Sequence, residues 1–391
     1  MRTLPDNPNL DHLRRQAKDL LPGLRDCRPD ATLADAQASL AEQYGFRTWT
    51  DLKAEADRRQ GQADVADPAL AQQIATRFGL GEVVGGMRSM SRPDEVGRRW
   101  LLQTDRGWWA PRTVDDVFPV TDGEDNARFQ EAAARAGVTL PAPVRSGSGA
   151  VIETIDGGRW RVYEWPQSGP PLAAPVSATV GRAVGDILAT IHGLRVPVAE
   201  VCPWNSVRFA ASGWAELADL AAGKGAAWAS VLAAAVPTLV ELESIGDRSG
   251  PVEPVLCHNN LNPGNVRVGS GDRLIVTGWE HASGLPPAWE LCAALVNWAV
   301  NPGNGINAAA ASALVGGYRA RAGSIPPLSL DTFRGTAIGL QNYVSGQIEL
   351  AIAARSAEDI RYTDRNVRHL LTHLPSRATF ERLLEAALPA S

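Results

Sequence analysis

The sequence predicts an α+β protein, with a small, mainly antiparallel sheet lobe followed by a mainly helical lobe and a short helical module in front. Three observations carry this. Apolar residues recur at helical spacing up to about residue 57, and strand-type runs crowd residues 83–165. Beyond Gly169 the pattern is helical to the end, interrupted only by Val255 to Thr277.

In the first segment, Leu10, Leu13, Ala17, Leu20 and Leu21 share one helix face, and Leu33, Ala36, Leu40 and Tyr44 share a second. Phe46, Trp49 and Leu52 predict a third short helix. The polar stretch RRQGQADVADP, residues 58–68, breaks the pattern and reads as a linker. The expected division is therefore 1–60, 61–168 and 169–391, with a loop-bearing segment at 254–291.

The sheet lobe begins with a helix over Ala69–Phe78. Strand-type runs follow at Val83-Val84, Arg99–Leu102 and Trp108–Ala110. A helix is predicted over Asn126–Ala136. Two more strands, Gly149–Ile155 and Arg159–Trp165, then flank an Asp156-Gly157-Gly158 turn. Pro111 removes one ladder hydrogen bond and so predicts an edge or a bulge.

Composition narrows the function classes. The chain has 391 residues, 38 basic and 43 acidic, and a net charge of -5, so no basic stripe marks a nucleic-acid binder. Only Lys18, Lys53 and Lys224 are lysines, which leaves three candidates for any chemistry that needs one. Cys27, Cys202, Cys257 and Cys292 form no CxxC pair, and a zinc or redox motif is not indicated. No apolar run nears the roughly 20 residues a membrane span requires, and the N-terminus has no signal-peptide core. The expected setting is cytoplasmic, with no membrane and no nucleic acid among its partners.

The most informative segment is Cys257-His258-Asn259-Asn260-Leu261-Asn262-Pro263-Gly264-Asn265-Val266. Alone it reads as an Asn/Pro/Gly turn. It is followed, however, by a hairpin, by Thr277-Gly278-Trp279-Glu280-His281-Ala282 and by Pro287-Ala288-Trp289-Glu290-Leu291. Upstream lies a helix ending Leu188-Ala189-Thr190-Ile191-His192.

Taken with Leu140-Pro141-Ala142-Pro143-Val144 and Tyr163-Glu164-Trp165, these segments resemble, in order, those of the aminoglycoside phosphotransferase and choline kinase superfamily. The resemblance covers roughly residues 75 to 385 and implies a bilobal, protein-kinase-like fold. Residues 8–57 separately resemble a helical module found at the N-terminus of some bacterial proteins. In the superfamily the catalytic loop reads His-Gly-Asp, four residues, then Asn; His258 through Asn265 keep that frame.

The resemblance implies roles for particular positions. The loop aspartate that orients and deprotonates the acceptor hydroxyl is replaced by Asn260, and an amide cannot take up that proton. General-base assistance is worth about 10² to 10⁴ in rate, or roughly 3–5 kcal/mol of barrier. The aspartate that holds the metal is replaced by Gly278. Asn265 keeps the second ligand position, and Glu280, two residues on from Gly278, is either a substitute ligand or a surface acid. Arg112 falls where the phosphate-pairing lysine is expected, with Glu131 as its helix partner and Glu164 near the nucleotide. Arginine binds phosphate bidentately, so this exchange alone does not forbid a nucleotide. No glycine-rich phosphate loop is evident, because Gly79-x-Gly81 misses the frame and Ser91-Arg92-Pro93-Asp94-Glu95 carries two acids.

His258 and His281 read either as loop-holding residues or as an acid/base pair. Trp204, His281, Trp289, Trp298 and Tyr343 lie on segments that flank the acceptor site in the superfamily. The expected function is thus a phosphotransferase-like protein with a degenerate site, its cleft kept for a small molecule or for an ATP-independent reaction. The other reading is an active, divergent kinase that uses ATP and Mg²⁺ held by Glu280 and Asn265. Residues 1–60 are the candidate surface for a protein partner.

Overall fold

The computed structural model describes residues 10–27, 30–44, 46, 49, 52–53, 55–56, 66, 68–89, 100–114, 122–166, 168–210, 212–246, 253–301, 304–354 and 357–388. The 58–68 linker, apart from Ala66 and Pro68, and the Ser91–Glu95 segment lie outside them. The chain divides into two compact units, residues 1–115 with 143–165, and residues 116–142 with 166–391.

The first unit opens with α1 (Leu10–Cys27) and α2 (Leu33–Gln43). Thr32 starts α2 through a capping box with Asp35, satisfying amides the helix itself cannot pair. Leu13, Ala17, Leu40, Ala41, Leu52 and Ala56 form a small apolar cluster there. Next come α3 (Pro68–Arg77), β1 (Val83–Ser89), β2 (Trp100–Thr104) and β3 (Gly107–Thr113). After α4 (Gly123–Arg135), which belongs to the second unit, the first unit resumes with β4 (Pro143–Val144), β5 (Glu153–Ile155) and β6 (Gly158–Glu164).

The strands form one antiparallel sheet in the order β1-β2-β3-β6-β4, with β5 also on β6. Trp100, Leu102 and Thr104 alternate inward along β2, as a half-buried strand requires, and the apolar members join Ile74, Phe78 and Met87 in the core. Asp156 and Gly157 both have positive φ, 50° and 73°, so the predicted turn closes the β5–β6 hairpin as a two-residue loop. Pro111 is not on an edge strand, because β3 is interior. It lies beyond the last β2 pair, Leu102 with Trp109, so β3 is paired there only with β6 and no β2 bond is lost.

The second unit contains α4, which sequence reasoning had grouped with the sheet lobe. Phe129 and Ala133 of α4 pack into that unit's core, and Asn126 donates from Nδ2 to the Trp279 carbonyl at 2.7 Å. Then follow β7 (Ser168–Pro171), α5 (Ala178–Gly193), α6 (Pro203–Ser206), α7 (Trp214–Gly223) and α8 (Ala229–Glu243). Next are β8 (Val255–Cys257), β9 (Val266–Gly269), β10 (Leu274–Val276) and β11 (Ser283–Leu285). The chain ends with α9 (Pro287–Ala299), α10 (Ala308–Ala322), α11 (Arg334–Ala353), α12 (Ala357–Thr372) and α13 (Arg377–Ala387).

Two short antiparallel sheets, β10-β9-β7 and β11-β8, frame the 258–265 loop. Helices α5 and α10 lie in close contact because Gly185 has no side chain; a Cβ there would overlap the Leu314 carbonyl. Leu188, Ile191, Leu256, Leu261, Trp279, Leu295 and Trp298 belong to the apolar core beneath the loop. No helix among the described residues is long and apolar enough to cross a membrane.

Candidate functional site

The loop leaves β8 at Cys257 and rejoins the sheet at Val266. His258 is fully buried and fixes the first bend. Its Nε2 lies 3.0 Å from the Thr277 carbonyl, which can only accept, so Nε2 carries the proton. Its Nδ1 then accepts from the Asn260 N–H at 3.2 Å. The Trp279 ring stands edge-on to the imidazole at 4.7 Å. Burial pushes the His258 pKa below its ordinary 6.5 and outweighs the opposing charges of Glu290 and Glu280 and the Thr277 hydrogen bond. The sequence left this residue between two roles, and its bonding is that of a loop-holding group.

Asn259 turns the chain with φ of 53°, a left-handed conformation that asparagine tolerates better than most residues. Its Nδ2 donates to Asn205 Oδ1 at 3.0 Å and to Ser283 Oγ at 2.7 Å. Asn262 Nδ2 donates to Asn260 Oδ1 at 2.8 Å, and Asn265 Nδ2 donates to the Asn260 carbonyl at 3.0 Å. Pro263 opens a single 3₁₀ turn through Asn265, and Trp298 Nε1 anchors the Leu261 carbonyl at 2.9 Å. The loop is therefore a lattice of amides with no carboxylate at Asn260 or Asn265.

Beneath it lies a buried polar chain. Burial, with the nearby Cys257 and Glu290, pushes the Tyr318 hydroxyl up to about 12, so it keeps its proton. That hydroxyl donates to His192 Nδ1 at 2.9 Å. His192 Nε2 donates to Glu290 Oε2 at 2.8 Å, and Glu290 Oε1 accepts the Asn259 N–H. Burial alone would raise the Glu290 carboxyl. The His192 hydrogen bond and charge, with His258 and the Asn259 N–H, overcome it and hold the group below its usual 4.5.

His192, Cys257 and Glu290 are also the one triad of metal-ligand side chains among the described residues. The donor set does not favour an ion. Glu290 is engaged on both oxygens, and burial keeps the Cys257 thiol protonated while its Sγ bonds the Leu285 carbonyl.

The structure distributes the sequence candidates unevenly. Gly278 has φ of 81°, and a Cβ built on it would stand 2.7 Å from Asn265 Cγ. The Asn265 side chain thus packs where a residue larger than glycine would begin. Glu280 and His281 lie half-buried on the 3₁₀ turn that follows Gly278. Arg112 is on β3, with its guanidinium 5.6 Å from the Tyr163 ring centroid, and Glu164 is exposed at the end of β6. Glu131 lies on α4, in the other compact unit from Arg112.

Trp289 and Trp298 are buried packing residues, whereas Trp204 is half-buried beside Phe209 and Tyr343 is exposed. Residues the sequence did not single out are Asn205, Ser283, Glu290 and Tyr318. A usable signal existed for Glu290, the lone charged residue in α9, where every other residue but Asn297 is apolar.

Protonation of His258 links this geometry to stability. In the unfolded chain the group titrates near 6.5, and in the fold its pKa is lower. Below about pH 6.5 the unfolded state therefore binds a proton that the native state refuses, so stability falls as the pH drops. The urea midpoint should decline between about pH 6.5 and 5, and the decline should shrink in His258→Gln. Equal slopes in the two proteins would remove His258 as the cause.

An α+β fold with a small antiparallel sheet, a helical unit and a loop of this frame defines a kinase-like protein of the small-molecule type. The chain belongs to the phosphotransferase enzyme family, whose family model, APH, matches residues 90–323. Three solved structures are similar in fold. A spectinomycin phosphotransferase in complex with ADP and spectinomycin is 12% identical with a TM-score of 0.57, over 81% of this chain and 97% of that one. An aminoglycoside phosphotransferase from Alicyclobacillus acidocaldarius is 14% identical with a TM-score of 0.56, over 83% and 98%. A microcompartment-associated aminopropanol kinase is 18% identical with a TM-score of 0.52, over 82% and 99%. No curated protein matches the chain.

Proposed function

We propose that this chain is a phosphotransferase-family protein that no longer transfers phosphate from ATP and uses the region of its 257–283 loop to hold a small molecule. The observation that carries the reading is the packing at Gly278. The position has no side chain, its backbone is left-handed, and the Asn265 amide stands 2.7 Å from where a Cβ would be. Phosphoryl transfer draws much of its rate from a metal held by carboxylate and from a base that positions the attacking hydroxyl. Gly278 offers no metal ligand, and Asn260 offers an amide whose Oδ1 is already taken by Asn262.

The ligand class follows from the family and the donors present. A related fold carries spectinomycin and ADP, and the loop here presents the amides of Asn260, Asn262 and Asn265. Amides recognise neutral hydroxyl, ether and carbonyl groups. Trp204 and Tyr343 are the aromatic candidates for packing against such a ligand. Residues 1–60, with an apolar cluster of their own, are the candidate surface for a protein partner.

A second reading, an active and divergent kinase, draws on one observation. Glu280 lies near enough to His258 for its charge to raise the imidazole's pKa, so a carboxylate does stand beside the loop. In that reading Glu280 and Asn265 hold Mg²⁺, with Arg112, Glu131 and Glu164 serving the nucleotide. Calorimetric titration with ATP, with and without Mg²⁺, and a coupled turnover assay over hydroxyl acceptors separate the two. We expect no Mg²⁺-dependent turnover above background, in the wild type or in Asn260→Asp. Turnover that Glu280→Ala abolishes and Asn260→Asp enhances would establish the active kinase instead.

A further inference from the structure

Within the second compact unit, a cavity of about 640 Å³ opens among the ends of α5 and α10 and the approach to β8. Its size is that of a small-molecule site. Its polar lining includes Thr190, His192, Arg195, Glu253, Tyr318 and Arg321. The region's two guanidiniums, against a single carboxylate, favour a ligand of net negative charge.

Arg321 is fixed on the wall by two hydrogen bonds, from Nε to Thr190 Oγ1 at 3.1 Å and from Nη2 to the Ala136 carbonyl at 3.4 Å. Nη1 is left over for a ligand. Arg195 is held by its backbone instead. Its φ is 47°, an uncommon conformation for arginine, and its N–H closes a turn onto the His192 carbonyl at 3.2 Å. Among the described residues its guanidinium has no hydrogen-bond partner. One exposed arginine is thus tied to the wall by two hydrogen bonds, and the other is exposed and uncommitted on a constrained turn.

The floor of the cavity is not inert. Tyr318 and His192 both line it, and both belong to the buried chain that runs through Glu290 to the Asn259 amide. Three consecutive hydrogen bonds therefore join this cavity to the residue beside Asn260.

We propose that this cavity is a second ligand site, for a small multivalent oxyanion held by Arg195 and Arg321, and that the Tyr318–His192–Glu290 chain connects its occupancy to the 258–265 loop. Bidentate pairing of the Arg195 guanidinium with carboxylate or phosphate, joined by a charge-assisted hydrogen bond from Arg321 Nη1, supplies the recognition, and Glu253 on the same lining suits a ligand that also carries a donor. The site is independent of whether the loop turns over ATP.

The test is calorimetric titration of the full chain with citrate and with pyrophosphate, each against sodium chloride at matched ionic strength. Amide hydrogen exchange at Asn259 is followed in the same samples. Binding of at least one probe should weaken about tenfold to a hundredfold in Arg195→Asn and again in Arg321→Ala. Asparagine is chosen at position 195 because it tolerates the left-handed backbone. The bound probe should slow exchange at Asn259. Tyr318→Phe should retain binding and lose that slowing. Failure of both probes to bind beyond the salt control, or binding indifferent to both arginines, overturns the site. Binding that leaves Asn259 exchange unchanged overturns the connection. Citrate binding without pyrophosphate assigns the site to carboxylates, and the reverse assigns it to phosphates.

Discussion

Replacing Glu290 by alanine is expected to cost about 3–5 kcal/mol of folding stability, the combined effect of leaving two buried donors unpaired and opening a cavity. The carboxylate lies 2% exposed and accepts from both His192 Nε2 and the Asn259 N–H. Without it, both donors stay buried with nothing to receive them, and a cavity replaces the side chain. Glu290→Gln keeps the volume and an acceptor oxygen but turns the other terminus into a donor facing the His192 N–H. It should cost less, about 1–3 kcal/mol. Urea denaturation measures both costs. Amide exchange at Asn259 separates loss of the loop's anchor from general loosening, because in Glu290→Ala that amide should open while in Glu290→Gln it and the cores around Phe333 and Phe380 stay protected. A cost below about 1 kcal/mol for the alanine variant would show that the pair adds no more than its replacement by cavity and water.

The same region shows what could be read from residues alone. The order of motifs from Leu140 to Leu291 was enough for the fold class, because each one marks a local element: a helix end, a turn or a hairpin. The Asp156-Gly157 turn was legible for the same reason, since its two positive φ values are a property of those residue types. The roles of Glu290 and Tyr318 were not legible. Their partners lie 98 and 126 positions away along the chain, and only the packing of α5 against α9 and α10 brings them together. Proximity in sequence also misled the grouping of α4. It follows the early sheet strands in the chain, yet its apolar face carries Phe129 and Ala133 into the helical core. At the loop, the resemblance offers Asn260 and Gly278 as departures from the family pattern. That Asn265 packs against Gly278 could not, since neither residue type announces it.

That packing makes Gly278→Asp the decisive substitution at the loop, and the expected result is a loss, not a gain. A simple reading of the family pattern holds that returning aspartate to position 278 should rebuild a metal ligand. The geometry opposes this in two ways. The backbone at φ of 81° strains any L-residue, and the new Cβ would stand 2.7 Å from Asn265 Cγ and 2.8 Å from its Nδ2. Asn265 cannot simply swing aside, because its Nδ2 donates to the Asn260 carbonyl and its own carbonyl accepts from both the N–H and the hydroxyl of Thr277. Gly278→Asp should therefore lower stability by about 1–3 kcal/mol and add no Mg²⁺-dependent ATP turnover, alone or with Asn260→Asp. Gly278→Ala supplies the control, since it carries the same Cβ and the same φ without a carboxylate. It should lose most of what the aspartate loses. If the aspartate variant instead gains stability on adding Mg²⁺ while the alanine variant does not, the site still accepts a metal and the loop is one substitution away from its family's chemistry. If both variants lose stability alike and neither responds to Mg²⁺, the packing of Asn265 against Gly278 has closed that route.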